Sequence, residues 1–105
     1  MIATPTYEKR IAKLLPPEDR TEMENAIAAD PERHPVVPGT KGVRKARWSR
    51  PGMGKSGGIR LIYYFWVEPN AVVLITAYAK NEKENLTDAD KNEIRKIVDN
   101  LKRTN

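Results

Sequence analysis

Ile59-Arg60-Leu61-Ile62-Tyr63-Tyr64-Phe65-Trp66-Val67 and Ala71-Val72-Val73-Leu74-Ile75-Thr76-Ala77-Tyr78-Ala79, separated by Glu68-Pro69-Asn70, set the fold class. Both runs are rich in β-branched and aromatic residues, and Pro-Asn is turn chemistry, so they are expected to form an antiparallel hairpin. Upstream, Val43 to Arg50 alternates. With a period of two, Lys45, Arg47 and Ser49 share one face, while Arg44, Ala46, Trp48 and Arg50 share the other. Ala46 and Trp48 are expected to face the core, which leaves Lys45 and Arg47 on an open sheet face. The same period in the hairpin's first strand separates Leu61, Tyr63 and Phe65 from Arg60, Ile62, Tyr64 and Trp66. Arg60, at the start of that strand, can then converge with Lys45 and Arg47.

Helical grammar flanks this strand-rich centre. Thr4-Pro5 reads as an N-cap followed by proline at the first helical position, and Tyr7, Ile11, Leu14 and Leu15 recur at helical spacing, which predicts a helix from about Pro5 to Leu15. Pro16-Pro17 interrupts it. Glu18 and Asp19 then suit a second helix N-terminus, with Met23, Ala26 and Ile27 on one side, and Pro31 requires that helix to stop before it. Near the other end, Thr87-Asp88-Ala89-Asp90 resembles a capping box with Asp in place of Glu, opening an amphipathic helix marked by Ile94, Ile97, Val98 and Leu101. The expected class is α+β: a short strand, two N-terminal helices packed on an antiparallel sheet of three to four strands, and a C-terminal helix.

The chain has 105 residues, room for a single domain over residues 1–105 with one core. Hydrophobic residues make up 39% and charged residues 31%, an ordinary globular balance. There is no cysteine, so disulfides and thiolate metal sites are excluded. The first residues lack a basic region followed by an apolar run, and no stretch approaches the roughly 18 apolar residues of a membrane span, so a cytoplasmic location is expected. The formal net charge of +5 suits an anionic partner. Its distribution is sharper than its size. Between Glu32 and Glu68 no acid occurs, while Arg33, Lys41, Arg44, Lys45, Arg47, Arg50, Lys55 and Arg60 all fall inside that window.

Gly52-Met53-Gly54-Lys55-Ser56-Gly57 fits G-x-G-x-x-G, and Gly54-Lys55-Ser56 imitates the end of a phosphate-binding loop. Such loops open a helix, whereas this one runs into a strand, so it reads as a flexible connector that presents Lys55. His34 is the only histidine and lies in a loop beside Pro35, which rules out two-histidine acid–base chemistry. No spacing of His, Asp and Glu suggests a metal site, and no cofactor is expected.

Gly42-Val43-Arg44-Lys45-Ala46-Arg47-Trp48, the segment Gly54-Lys55-Ser56-Gly57-Gly58-Ile59-Arg60-Leu61-Ile62-Tyr63-Tyr64 and the run from Tyr78-Ala79-Lys80 through Asn85-Leu86 together resemble the HigB branch of RelE-type toxins of type II toxin–antitoxin systems. The likeness extends from Thr4-Pro5 through the last helix. It implies a compact α/β protein, a bound antitoxin and, for many members, cleavage of messenger RNA in the ribosomal A site. The family's cationic site maps onto Lys45, Arg47, Arg60 and the region from Lys80 to Lys83. Asn81 stands where other members carry arginine, and the C-terminal tyrosine used by some is not evident.

The activity this resemblance implies is metal-free transesterification. A ribose 2′-hydroxyl attacks the adjacent phosphate, leaving a cyclic phosphate. One group must take the 2′ proton, another must stabilise the phosphorane, and a third must protonate the leaving 5′ oxygen. Arg47 and Arg60 are expected to hold the phosphate, with Lys45, Lys55 or Lys80 as base or acid, because a lysine held among other cations can lose its proton near neutrality. Arg44, Arg50, Lys55 and Lys83 are the surrounding cations expected to bind RNA or the ribosome. Two rival readings are a ParE-like toxin that inhibits a topoisomerase without nuclease activity, and a noncatalytic RNA-binding module. An antitoxin segment is expected to pack on the sheet or helices, since Tyr7, Ile11, Leu14 and Met23 offer more apolar area than one small core consumes.

Overall fold

The computed structural model describes residues 1–50, 58–67, 70–83 and 85–103. The connector presenting Lys55 and the turn at Glu68-Pro69 fall outside them. The elements follow the order β1 (Ile2–Ala3), α1 (Pro5–Leu14), α2 (Pro17–Ala29), β2 (Arg44–Trp48), β3 (Ile59–Trp66), β4 (Ala71–Ala79) and α3 (Asp88–Arg103). In space the strands lie β1-β4-β3-β2. The pairs β2·β3 and β3·β4 are antiparallel, as the hairpin grammar predicts. β1 runs parallel to β4, so the sheet is mixed rather than wholly antiparallel.

Thr4 fixes that parallel edge. Its N–H bonds Leu74 O at 3.0 Å, its hydroxyl donates to Ile75 O at 2.6 Å, and the same oxygen accepts from Tyr7 N at 3.1 Å. One side chain therefore caps α1 and ties it to β4. The first helix ends at Leu14 because Pro16-Pro17 cannot continue it, and Pro17 takes the first position of α2. Arg20 locks the two helices together. It bonds Glu8 through a two-pronged contact of 2.7 and 2.8 Å, reaches Glu24 at 2.7 Å, and lies 5.3 Å above the Tyr7 ring. The Tyr7 hydroxyl donates to the same Glu24 carboxylate at 2.7 Å.

The sheet is covered on both faces. Tyr7, Ile11, Leu15, Met23 and Ile27 pack on one face against Ala46, Ile59, Leu61, Tyr63 and Leu74. Ile94 and Val98 of α3 pack on the other against Val43, Ile62, Val73, Ile75 and Tyr78. Burial on both faces is why the hairpin strands read as unbroken apolar runs while β2, at the sheet edge, alternates. It also corrects the expectation of spare apolar surface on the helices: Tyr7, Ile11 and Met23 are each 0% exposed, and Leu14 is partly buried against the same core.

A bulge re-phases β4. Ile62 pairs with Thr76 but Tyr63 pairs with Leu74, so Ile75 is the extra residue. Without it, strict alternation from Val73 would turn Tyr78 toward α1. With it, Tyr78 joins the core under α3, on the face of Arg60. The chain between α2 and β2 doubles back on β2: Lys45 N bonds Pro35 O at 3.1 Å and Val37 N bonds Val43 O at 2.8 Å. Gly39 and Gly42 turn this loop with φ of 79° and 98°, in the left-handed region glycine favours. Lys41 then pairs with Asp99 at 2.6 Å, and Arg95 donates to Gly39 O, which pins the loop to α3.

Candidate nucleic-acid interface

The β-ladder places the cations. Arg47 pairs with Arg60 across β2 and β3, and Arg60 pairs with Tyr78 across β3 and β4. Lys45 pairs with Ile62, one step along on the same face. Directly opposed residues in an antiparallel pair have Cβ atoms only about 5 Å apart, so two guanidinium groups begin side by side, an arrangement that like charges oppose. Arg47 is exposed. Arg60 is 6% exposed, and its guanidinium makes a long hydrogen bond of 3.4 Å to the carbonyl of its own neighbour Ile59. Among the described residues no carboxylate pairs with either. A buried cation without a counter-charge costs several kcal/mol, by order of magnitude.

Tyr78 adds a second unsatisfied group. It is 2% exposed, and among the described residues its hydroxyl has no hydrogen-bond partner. Burial pushes the phenol's pKa up, and the charge of Arg60 works against that rise. Lys83 lies 5.7 Å over the Tyr78 ring and pairs with Asp90 at 3.0 Å. Asp90 also accepts from Thr87 N at 2.9 Å while its own N–H bonds the Thr87 hydroxyl at 3.1 Å, the reciprocal cap expected from the sequence. These bonds hold the Asp90 carboxyl below its ordinary range, the Thr87 amide foremost and Lys83 after it. Lys83 is thus occupied with anchoring the start of α3.

The remaining cations divide. Lys80 directly follows β4, half-buried, with its N–H bonded to Gly58 O at 2.9 Å, beside the first described residue after the connector. Arg50 lines a cleft with Arg47, Trp48, Asp19 and Glu22. Arg44 is turned away from the other cations, and its guanidinium donates to Glu32 O at 3.0 Å and His34 O at 2.7 Å, clamping the loop after α2. Lys55 lies outside the described residues. His34 stands edge-on to Tyr63, with ring centroids 6.3 Å apart, and Tyr63 belongs to the face opposite Arg60. Burial, then Arg33, lowers the His34 pKa, so the ring is neutral at neutral pH. Among the described residues no three His, Asp or Glu side chains converge as metal ligands, and no helix is long and apolar enough to cross a membrane.

The family described as the RelE toxin of the RelE/RelB toxin–antitoxin system matches residues 38–105. The chain belongs to the RelE toxin family. The match spans β2, β3, β4 and α3, which together build the cationic face, and membership gives this RelE toxin an antitoxin as partner. Two residues near that face escape a reading of the toxin's sequence. Lys91, in α3, lines a groove with Lys45 and Arg47. Tyr78 reaches the face through the bulge. A helical period alone gives Lys91 no link to β2, and a period of two alone misplaces Tyr78.

Proposed function

We propose that this toxin inhibits translation by cleaving messenger RNA in the ribosomal A site, through metal-independent attack of a ribose 2′-hydroxyl on the adjacent phosphate. The observation that carries the reading is the buried Arg60 opposite Arg47, without a carboxylate partner among the described residues. Two adjacent guanidinium forks, one buried and one exposed, suit the two non-bridging oxygens of a phosphate and the extra charge of its phosphorane. As the P–O2′ bond forms and the P–O5′ bond breaks, the 2′ proton leaves to a base and a proton reaches the departing 5′ oxygen. Lys45 and Lys80, with Lys55 of the connector, are the groups assigned those two transfers. The A site supplies the single-stranded, splayed nucleotides such a shallow site needs.

Mapping new RNA ends on translated messages tests this. The parent generates ends inside reading frames only while they are translated. Arg60→Ala, folded by its thermal transition, lowers their yield by about 100-fold or more, the usual loss when one donor to a developing charge is removed. A folded Arg60→Ala protein as toxic as the parent overturns the assignment. Growth arrest without new ends favours the topoisomerase-inhibiting alternative, and RNA binding without ends favours a noncatalytic module.

A further inference from the structure

Beside Lys45 and Arg47 runs a groove of about 360 Å³, within the roughly 300–1,000 Å³ of small-ligand sites. It is lined by Pro35 to Pro38 of the loop after α2, by the two β2 cations, and by Asn85, Leu86 and Lys91 at and before α3. Its width is set by bonds already described: Pro35 and Val37 to β2, and the following loop to α3 through Lys41–Asp99 and Arg95–Gly39.

Three properties point to one occupant. Among the described residues no carboxylate lines this groove, whereas Asp90 and Glu93 line the cleft under α3 and Asp19 and Glu22 line the cleft at Arg50. Its cations come from two elements, and among the described residues neither Arg47 nor Lys91 forms an ion pair. The loop lining is apolar, with Val36 46% exposed beside the flat rings of Pro35 and Pro38. The Asn85 amide is exposed and unbonded among the described residues, leaving a donor and an acceptor side by side, as a base edge requires. Cations for phosphates, an apolar wall for a ring and an amide for its edge make the chemistry of a single-stranded ribonucleotide.

Resting on the RNA reading above, we infer that this groove seats the nucleotide adjoining the scissile phosphate, with Lys91 on a flanking phosphate and Asn85 reading the base edge. Lys91 is a binding residue and Asn85 a specificity residue.

The test uses the full-length toxin and 2′-O-methyl heptaribonucleotides of A, C, G or U, which 2′ attack cannot cleave, with binding followed by fluorescence anisotropy across salt. Lys91→Ala lowers affinity about five-fold and reduces the slope of log affinity against log salt by about 0.7, the share of one single-strand phosphate contact. Lys102→Ala, about 16 Å further along α3, leaves both unchanged. Asn85→Ala keeps the slope but brings the four probes to within about two-fold of one another, where the parent prefers one base by about ten-fold. Absence of binding by the parent, or a Lys91→Ala protein that binds like the parent, overturns the inference. So does a Lys91→Ala protein that loses antitoxin affinity while RNA affinity holds, which would make the groove a seat for an acidic peptide. Because no probe is cleaved, failure of the nuclease reading leaves this result standing. A null Lys91 effect likewise leaves the Arg60 experiment intact.

Discussion

Arg60 and His34 show how position relative to the sheet separates the cation proposed to meet the phosphate from a ring packed edge-on in a loop. Arg60 begins β3 on the face shared with Lys45 and Arg47, buried and without a counter-ion among the described residues. His34 sits on the other side of that strand pair, edge-on to Tyr63, with its carbonyl accepting from Arg44. Its lowered pKa makes it neutral at pH 7, so removal changes no charge near the proposed phosphate site. His34→Ala is therefore expected to keep RNA cleavage within about two-fold of the parent and to cost roughly 1 kcal/mol of stability through the lost ring contact. End mapping and urea denaturation check the two halves. A ten-fold loss of cleavage would return the histidine to the mechanism.

At the level of elements, the start of α3 is the joint on which the groove depends. Thr87 and Asp90 cap the helix reciprocally, and Lys83 completes Asp90. Asp90→Asn is expected to destabilise the protein by about 1 kcal/mol at pH 7, in the range of lost helix caps. The pH dependence has a definite sign. The native Asp90 pKa lies below its unfolded value, so its contribution is fully present above the unfolded pKa and is lost as pH falls through the native one. Parent and variant stabilities should converge below pH of about 4, a trend that acid titration followed by circular dichroism reads directly. A constant gap down to pH of about 2 would mean that the carboxylate charge plays no part.

For the whole molecule, several acids are held in local ion pairs, whereas among the described residues Arg47 and Arg60 of the sheet form none. Glu8 and Glu24 hold Arg20, Glu82 holds Arg10, Asp90 holds Lys83, and Asp99 holds Lys41. The net charge of +5 is thus expressed around β2 and β3, where no acid occurs from Arg33 to Val67. The helices retain little apolar surface, and the large exposed hydrophobics among the described residues are Met1, Ile2, Val36 and Val67. Antitoxin capture should accordingly lean on charge. Its affinity is expected to fall at least about ten-fold as the salt concentration is raised until screening shortens to a few ångströms. The Lys45, Arg47, Arg60 triple alanine variant should lose most of that salt dependence. Calorimetry over a salt series is the check, and salt-indifferent affinity would place the antitoxin on apolar surface instead.

Local sequence was enough to mark which segments are helices and strands, because proline, capping residues and apolar periodicity act over a few residues. Thr4-Pro5, Pro16-Pro17 and Thr87–Asp90 set helix ends, and the alternation in β2 put Lys45 and Arg47 on one face with Ala46 and Trp48 on the other. The same pattern brought Arg60 toward Arg47, since an apolar face leaves one workable strand register. What covers that face, and what joins the cations there, came only with packing. β1 runs parallel because Thr4 anchors it to β4, a contact between residues 71 positions apart in the chain. The bulge at Ile75 turns Tyr78 under α3, through a pairing offset that no local pattern encodes. Lys91 reaches the groove of Lys45 and Arg47 only because Ile94 and Val98 bury themselves on the sheet, and that docking direction follows from packing rather than from the order of residues.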